Sequence, residues 1–231
     1  AGTLKSAFVS ERPFRSPHHT TSGIALVGGG TDPRPGEVSL AHRGVLFLDE
    51  FPEFRKDALE NLRQPLEDGL ITISRAAGTV AFPAKFMLVA AMNPCPCGFA
   101  NDPFHRCSCP PALIAKYQKR ISGPLMDRID LCIDVPKTEI EKLAGNVEAE
   151  PSRDIRKRVQ AARDIQTKRF HDTSHITNAD MGSKDLRTYC KMLPEAETML
   201  VTAAKALRLS ARAFTRTIKV SRTIADLGGD Q

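Results

Sequence analysis

The sequence lacks three patterns, and each absence limits what the chain can do. No apolar run approaches the roughly 18 residues that a membrane-spanning helix needs, and no secretion signal is present, so we expect a cytoplasmic protein without membrane contact.

No Gly-Lys dipeptide occurs either. The phosphate-binding loop G-x-x-x-x-G-K-[ST], in which backbone N–H groups and a lysine hold nucleotide phosphates, is therefore missing. Residues 28–30 are glycines, but Thr31, Asp32 and Pro33 follow, which favours a flexible loop. Either the chain is no nucleotide enzyme or it begins after its phosphate-binding loop.

The composition indicates a globular protein with excess positive charge. With 231 residues, 41% of them hydrophobic, there is room for one large domain or two small ones. The net charge of +6 is concentrated in residues 151–170, with seven basic and two acidic side chains, and in residues 201–225, with six basic and none acidic. Such segments suit nucleic acid or nucleotide phosphates. Solvated helix faces are an equally good explanation.

Residues 44–50 are the most informative stretch. Val45, Leu46, Phe47 and Leu48 form a short apolar run that predicts a strand buried on both faces of a parallel sheet. Asp49 and Glu50 follow directly, at the strand end where such sheets bind ligands. One carboxylate can hold Mg²⁺ while its neighbour polarises an attacking water, which is the Walker B pattern of an ATP-driven motor. A surface turn beginning Asp-Glu is the alternative.

The chain is organised as an α/β part followed by a helical part, which we divide at 1–137 and 138–231. Two further strand-like runs occupy residues 86–92 and residues 129–135, and the polar Asn93 follows the first of them. Between the first two strands, Leu59, Leu62 and Leu66 share one helix face, with Gly69 as its C-cap. Residues 70–73 and 79–82 flank a turn and predict a β-hairpin.

After a polar linker at residues 145–152 the pattern is helical. Helices are predicted at about 152–170, 183–191, 194–208 and 210–227. Ser210 is the predicted N-cap of the last helix.

Four cysteines form a possible metal site. Cys95, Cys97, Cys107 and Cys109 follow the pattern C-x-C-x9-C-x-C, with His105 inside the loop. Two close pairs of soft ligands suit a tetrahedral Zn²⁺, although C-x-C is tighter than the common C-x2-C. Reduced thiols without metal are the alternative, and the absence of a secretion signal disfavours disulfides. The two remaining cysteines, Cys132 and Cys190, are predicted to be core residues.

Three segments together resemble magnesium-chelatase-like AAA+ ATPases, and most nearly their bacterial ComM/YifB branch. These are residues 12–20 (RPFRSPHHT), 34–50 (RPGEVSLAHRGVLFLDE) and 93–98 (NPCPCG). The resemblance implies an incomplete AAA+ module: a P-loop-type parallel-sheet domain without its first strand and Walker A, followed by an α-helical lid. Because the family carries Walker A some tens of residues before this point, we expect the 231-residue chain alone to bind ATP weakly.

The resemblance also implies roles for single residues. Asp49 and Glu50 match the metal-binding and water-activating residues of Walker B, and Asn93 matches sensor 1, which orients the attacking water. Arg128 resembles the arginine finger that reaches a neighbouring subunit's nucleotide, for which a local ion pair with Asp127 or Asp130 is the alternative.

The remaining implied roles concern the lid and the substrate. Arg212 resembles sensor 2 of the lid, with Arg216, one turn later on the same face, as its substitute. Arg75 occupies the place of a pore-facing hairpin residue that grips DNA phosphates, although an exposed turn arginine is the alternative. Residues 20–39 resemble a pore-directed inserted loop, and His18 and His19 are predicted to be exposed loop residues rather than ligands.

Three functions are compatible with these features. The first is a ring-forming, hexameric ATPase motor that uses ATP and Mg²⁺ on DNA, such as a branch-migration helicase. The second is a chelatase motor that drives Mg²⁺ insertion into a porphyrin. The third is a non-catalytic, zinc-containing nucleic-acid-binding module.

Overall fold

The computed structural model describes residues 11–75, 78–100, 102–136 and 149–230. These residues form two compact units, one ending at Ile129 and one beginning at Asp130. The domain boundary predicted at 137, the hairpin-turn residues 76–77 and the first part of the predicted linker lie outside the described residues. Within the described ranges, no helix is both long and apolar enough to cross a membrane.

A parallel sheet of three short strands organises the first unit, as the sequence predicted. Its order is β1 (Phe14–Arg15), β4 (Val45–Leu48) and β7 (Met87–Ala90), with Val45 opposite Met87 and Leu48 opposite Ala90. Leu46 and Leu48 are fully buried, whereas Val45 and Phe47 are only half-buried. The prediction of burial on both faces is therefore right for one face only.

The close approach of β1 to β4 depends on Gly44. The Val45 amide donates to the Pro13 carbonyl at 2.8 Å. A Cβ added at Gly44 would lie 1.9 Å from that carbonyl oxygen, far inside van der Waals contact. Only glycine fits this position without moving the strand.

Residues 20–39, predicted as an inserted loop, contribute to the core of the first unit. They contain α1 (Gly23–Val27), the two-residue strands β2 (Gly28–Gly29) and β3 (Arg34–Pro35), which pair antiparallel, and α2 (Glu37–Leu40). The side chains of Leu26 and Val38 are fully buried. Gly28 and Gly29 thus form the first strand of a tight hairpin, and their φ values of 104° and 135° lie in a region that side chains other than glycine rarely adopt.

The predicted Leu-rich helix consists of two short helices. These are α3 (Lys56–Glu60), which buries Leu59, and α4 (Arg63–Asp68), whose N-cap residue Leu62 is also buried. Gly69 ends α4 in the left-handed conformation at φ 66°. The predicted hairpin follows as β5 (Leu70–Arg75) and β6 (Gly78–Pro83), paired with Arg75 opposite Gly78. Two further helices, α5 (Pro111–Gln118) and α6 (Gly123–Met126), complete the unit.

The strand predicted over residues 129–135 is wrong. The described residues 131–136 form no strand, and the side chains of Leu131, Ile133 and Val135 are 64%, 79% and 87% exposed. An apolar alternation forms a strand only where a neighbouring strand pairs with it, and no described strand does so here. Cys132, predicted to be buried, is exposed for the same reason, whereas Cys190 is buried as predicted.

The second unit is helical, as predicted. Its helices are α7 (Ser152–Arg169), α8 (Ser183–Tyr189), α9 (Pro194–Ala206) and α10 (Ala211–Gly228). Ser210 caps α10 as predicted, accepting the Ala213 amide at 3.1 Å. A separate core contains Phe170, Met181, Leu186, Cys190 and Ile218.

One buried carboxylate links three helical segments of this unit. The side chain of Asp226 is fully buried and accepts two hydrogen bonds from Arg169, at 2.7 and 2.5 Å. It also accepts from Asn178 Nδ2 at 2.8 Å and Arg222 Nε at 3.0 Å. Burial alone would raise the pKa of Asp226, but these hydrogen bonds and charges outweigh it and lower the pKa.

Candidate functional site

The ends of β4 and β7 bring the predicted Walker B and sensor residues to one edge of the sheet. The Ala91 amide donates to the Leu48 carbonyl at 3.0 Å, and the Phe51 amide donates to the Ala91 carbonyl at 2.9 Å. These bonds continue the pairing past the strands, on either side of Asp49 and Glu50. Asp49, Glu50 and Asn93 are all exposed at this edge. A polar edge on an otherwise apolar sheet is where parallel α/β folds bind ligands.

Glu50 has an unusual backbone conformation. Its φ of 51° and ψ of 43° lie in the left-handed region, and its amide donates to Asp49 Oδ1 at 2.8 Å. Few non-glycine residues adopt this conformation, and those that do cluster at functional sites. The two adjacent carboxylates have different partners: Asp49 Oδ1 accepts the hydrogen bond from the Glu50 amide, whereas Glu50 Oε2 contacts His19.

His19 contacts Glu50, which the sequence did not predict. Its Nδ1 lies 2.8 Å from Glu50 Oε2, and its side chain is 29% exposed. The His19 ring lies 4.1 Å from that of His18 and edge-on to Phe54 at 6.5 Å. The prediction of an exposed loop histidine therefore holds for His18 but not for His19. The only signal in the sequence was that His19 and Glu50 each lie in a segment that resembles the family, residues 12–20 and residues 34–50.

The donor set at this edge fits a hydrated Mg²⁺. Carboxylate and amide oxygens are the ligands that Mg²⁺ prefers, and the ion keeps several waters and binds through one or two carboxylates. Asp49 and Glu50 offer exposed carboxylates and Asn93 an exposed amide. Asp49 would hold the ion, which in turn would neutralise nucleotide phosphates.

Arg128 forms a local ion pair. Its Nη2 contacts the Glu67 carboxylate, its Nη1 donates to the Pro124 carbonyl at 2.6 Å, and the side chain is only 12% exposed. Its Nε is buried without a hydrogen-bond partner among the described residues. The partner is Glu67 rather than the Asp127 or Asp130 considered from sequence. An arginine acting on a neighbouring subunit would have to leave Glu67 first.

The two lid arginines lie near the start of α10. Arg212 is exposed in the first turn. Arg216 is 22% exposed, and its Nε lies 3.5 Å from Asp130 Oδ1. Arg75, the predicted DNA-gripping residue, ends β5 next to the hairpin turn. The backbone position of Arg75 beside the turn agrees with the predicted hairpin. The structure does not describe the side chain of Arg75.

The four cysteines come together in one cluster. The Sγ atoms of Cys95, Cys97, Cys107 and Cys109 all lie within 4.8 Å of one another. The distances among Cys95, Cys97 and Cys107 are 3.4, 3.5 and 3.7 Å. A tetrahedral site with Zn–S bonds of about 2.3 Å requires Sγ separations of about 3.8 Å. His105 is not part of this four-residue group, since it pairs with Asp102 at 3.4 Å and packs on Phe99.

The thiols of the cluster differ in their pKa values. A hydrogen bond from the Phe99 backbone, followed by bonding from Cys95, lowers the pKa of Cys97 to about 5. The hydrogen bond with Cys97 and burial raise the pKa of Cys109 to about 12. Sulfur atoms this close cannot all ionise unless a cation compensates their charge. A proton is therefore lost most easily at Cys97 and least easily at Cys109.

The cysteine cluster lies between two segments that contact the candidate site. Cys95 is buried two residues after Asn93, and Gln118 of α5 donates to the intervening Pro94 carbonyl at 3.2 Å. Just beyond α5, Arg120 pairs with Glu53 at 2.9 Å. The cysteine loop thus connects to the residues on both sides of the candidate nucleotide site.

Two family models and several bacterial proteins match this chain. Residues 2–143 match the family model described as magnesium chelatase, subunit ChlI, and residues 149–231 match the model of the ChlI C-terminal part. The competence protein ComM of Haemophilus influenzae is 49% identical over 96% of the chain, and YifB of Escherichia coli is 45% identical over 94%. A Mycobacterium tuberculosis protein is 42% identical over 99% of the chain.

The chain spans 42–46% of the length of these relatives. The family matches nevertheless cover both the sheet unit with its carboxylate edge and the helical unit. The α/β part with its three-stranded parallel sheet is a partial AAA+ domain, and the helical part follows it. The chain therefore belongs to the magnesium chelatase family of AAA+ proteins.

Proposed function

We propose that this chain is the Walker B and lid portion of a ring-forming ATPase motor that acts on DNA in the cytoplasm. The observation that carries the proposal is the exposed edge with Asp49, Glu50 and Asn93 at the ends of two neighbouring parallel strands. Family membership supports ATPase chemistry. The net charge of +6, and the place of Arg75 at the end of β5 beside the hairpin turn, support DNA as the substrate.

Each residue has a defined task in this proposal. Asp49 holds Mg²⁺ through water, Glu50 activates the attacking water, and Asn93 orients that water. Arg128, released from Glu67, stabilises phosphate charge in the next subunit of a hexamer. Arg212, or Arg216 in its place, contacts the γ-phosphate from the lid.

ATP hydrolysis by the full-length protein, with and without DNA, tests the proposal. The wild type should hydrolyse ATP faster with DNA present. Glu50→Gln should keep ATP binding but lose at least about 100-fold in kcat, because general-base catalysis contributes about 10²–10⁴. Glu53→Gln is the matched control, since this carboxylate lies in the same turn but pairs with Arg120. Loss of activity in both variants, or in neither, would contradict the assignment.

A chelatase motor is the second candidate, and the description of the matching family favours it. Its distinguishing result is ATP-dependent Mg²⁺ insertion into a porphyrin with partner subunits, without stimulation by DNA. DNA binding without any ATP hydrolysis would instead support a non-catalytic nucleic-acid-binding module.

We also propose that the cysteine cluster holds one structural Zn²⁺. The supporting observation is that four Sγ atoms already lie within 4.8 Å, close to the separations that tetrahedral thiolate coordination requires. Protein purified without chelator should contain about one zinc per chain. Cys107→Ser should lower this content, whereas Cys132→Ser, an exposed cysteine outside the cluster, should not. Four freely reactive thiols at positions 95, 97, 107 and 109, with no metal released, would contradict the site.

A further inference from the structure

The contact between His19 and Glu50 fixes the proton position on the histidine ring. His19 Nδ1 lies 2.8 Å from Glu50 Oε2. An ionised carboxylate can only accept hydrogen bonds, so Nδ1 must carry the proton and donate it. The Nδ1–H form is therefore selected by this one contact, whatever the state of Nε2.

The histidine itself is held in place from two sides. Its ring packs on His18 at 4.1 Å and edge-on against Phe54, a core residue that is 1% exposed. It follows β1, and Arg15 of that strand pairs with Glu37 at 2.5 and 2.7 Å. Nδ1 thus belongs to a fixed framework rather than to a free loop end.

The Glu50 side chain needs such a partner. It is 52% exposed and has three rotatable bonds, so it would otherwise sample many rotamers. Among the described residues, His19 contacts Oε2 and no partner is given for Oε1, which can therefore accept a hydrogen bond from a water molecule. Misplacing a catalytic group by about 1 Å can cost about 100-fold in rate.

We propose that His19 is a positioning residue that holds Glu50 by its Oε2 atom and so presents Oε1 to the attacking water. This inference rests on the proposed ATPase function. In this proposal His19 acts through Glu50, the carboxylate that its Nδ1 contacts. Its loss should therefore change kcat and leave the affinity for ATP almost unaltered.

The first test measures the contact without any nucleotide. Nitrogen-15 NMR of the imidazole rings in the 231-residue chain should show the Nδ1–H tautomer for neutral His19. The Nε2–H tautomer should appear in Glu50→Ala, because the acceptor is gone. An Nε2–H tautomer in the wild type, or no change in Glu50→Ala, would overturn the proposal.

The second test measures steady-state ATP hydrolysis by the full-length protein. His19→Ala should lower kcat about 10-fold or more, with KM for ATP changed less than about 2-fold. His19→Asn should recover most of the rate, because its amide N–H can replace Nδ1–H. His18→Ala is the control: it removes one packing neighbour but keeps the hydrogen bond and the Phe54 contact, so it should lose much less rate than His19→Ala.

The outcomes separate the two proposals. A wild type that does not hydrolyse ATP removes the proposed function and this inference with it, even if the NMR contact is present. An active wild type whose rate is unchanged or raised in His19→Ala overturns the role of His19 alone. Equal loss in His18→Ala and His19→Ala would assign the effect to ring packing and also overturn it.

Discussion

Replacing Asp226 by alanine should severely destabilise the helical unit. The variant leaves the guanidinium groups of Arg169 and Arg222, whose side chains are 13% and 10% exposed, without their shared counter-charge. It also removes an acceptor from the buried Asn178. Removing one partner of a buried ion pair typically costs about 3–5 kcal/mol. For a unit of this size, a loss of about 1 kcal/mol in the free energy of unfolding lowers the melting temperature by about 4–8 °C. A loss of about 3 kcal/mol or more should therefore lower it by at least about 12 °C.

Amide hydrogen exchange localised to α7 and α10 is the appropriate assay, because it reports the helical unit separately from the sheet unit. Asp154→Ala is the matched control: it removes an acidic residue of α7 that pairs with Lys157 at 3.0 Å, with side chains 38% and 70% exposed. Exposed pairs contribute about 0–1 kcal/mol. A loss of protection in Asp226→Ala no greater than in Asp154→Ala would refute the reasoning.

The same carboxylate should make the helical unit sensitive to acid. Because folding lowers the pKa of Asp226, its stabilising effect is complete above the unfolded-state pKa of about 3.9 and is lost as the pH falls through the lower folded-state value. The stability difference between wild type and Asp226→Asn should therefore shrink as the pH falls below about 4. Urea unfolding at several pH values checks this, and a difference independent of pH would contradict it.

Three further changes test separate parts of the chain. Arg75→Ala in the full-length protein should weaken DNA binding and reduce the salt slope by about 1, with basal hydrolysis retained; an unchanged affinity and slope would reject its DNA contact. Mixed rings of Arg128→Ala and Glu50→Gln subunits should regain some hydrolysis that each variant lacks alone, and rings that demonstrably mix but stay inactive would contradict the finger. Gly44→Ala should destabilise the sheet unit in urea unfolding, because the added Cβ meets the Pro13 carbonyl; unchanged stability would show that the strand moves aside freely.

Local signals in the sequence sufficed for much of the fold. Capping by Ser210, the left-handed Gly69 and the hairpin flanking residues 76–77 depend on interactions within a few residues, so their patterns are visible in the chain itself. The apolar run before Asp49 likewise predicted a parallel strand correctly.

Features that depend on distant partners were not predictable in this way. Residues 129–135 alternate as a strand does, but a strand also requires a neighbour, and alternation carries no information about one. The glycines at 28–30 suggested flexibility, whereas antiparallel pairing and burial of Leu26 decide their conformation.

In the candidate site, too, the residues with a local sequence signal were predicted and the contacts between distant residues were not. Asp49 and Glu50 were found because they come at the end of an apolar strand, and Asn93 because it ends the next apolar run and matches a motif of the resembled family. The pairing of Glu50 with His19, and of Arg128 with Glu67, joins residues far apart in sequence. No periodicity or motif spacing encodes such pairs, so only the folded chain brings them together.

The two separate hydrophobic cores have a thermodynamic consequence. Among the described residues, one contains fifteen buried residues from Leu26 to Leu125, and the other five from Phe170 to Ile218, with no member in common. Each core can melt as its own cooperative transition, so a two-state analysis of the whole chain would yield an enthalpy and a midpoint that describe neither. Calorimetric van't Hoff and total enthalpies should consequently disagree for the intact chain, and a substitution in one core should shift only its own transition.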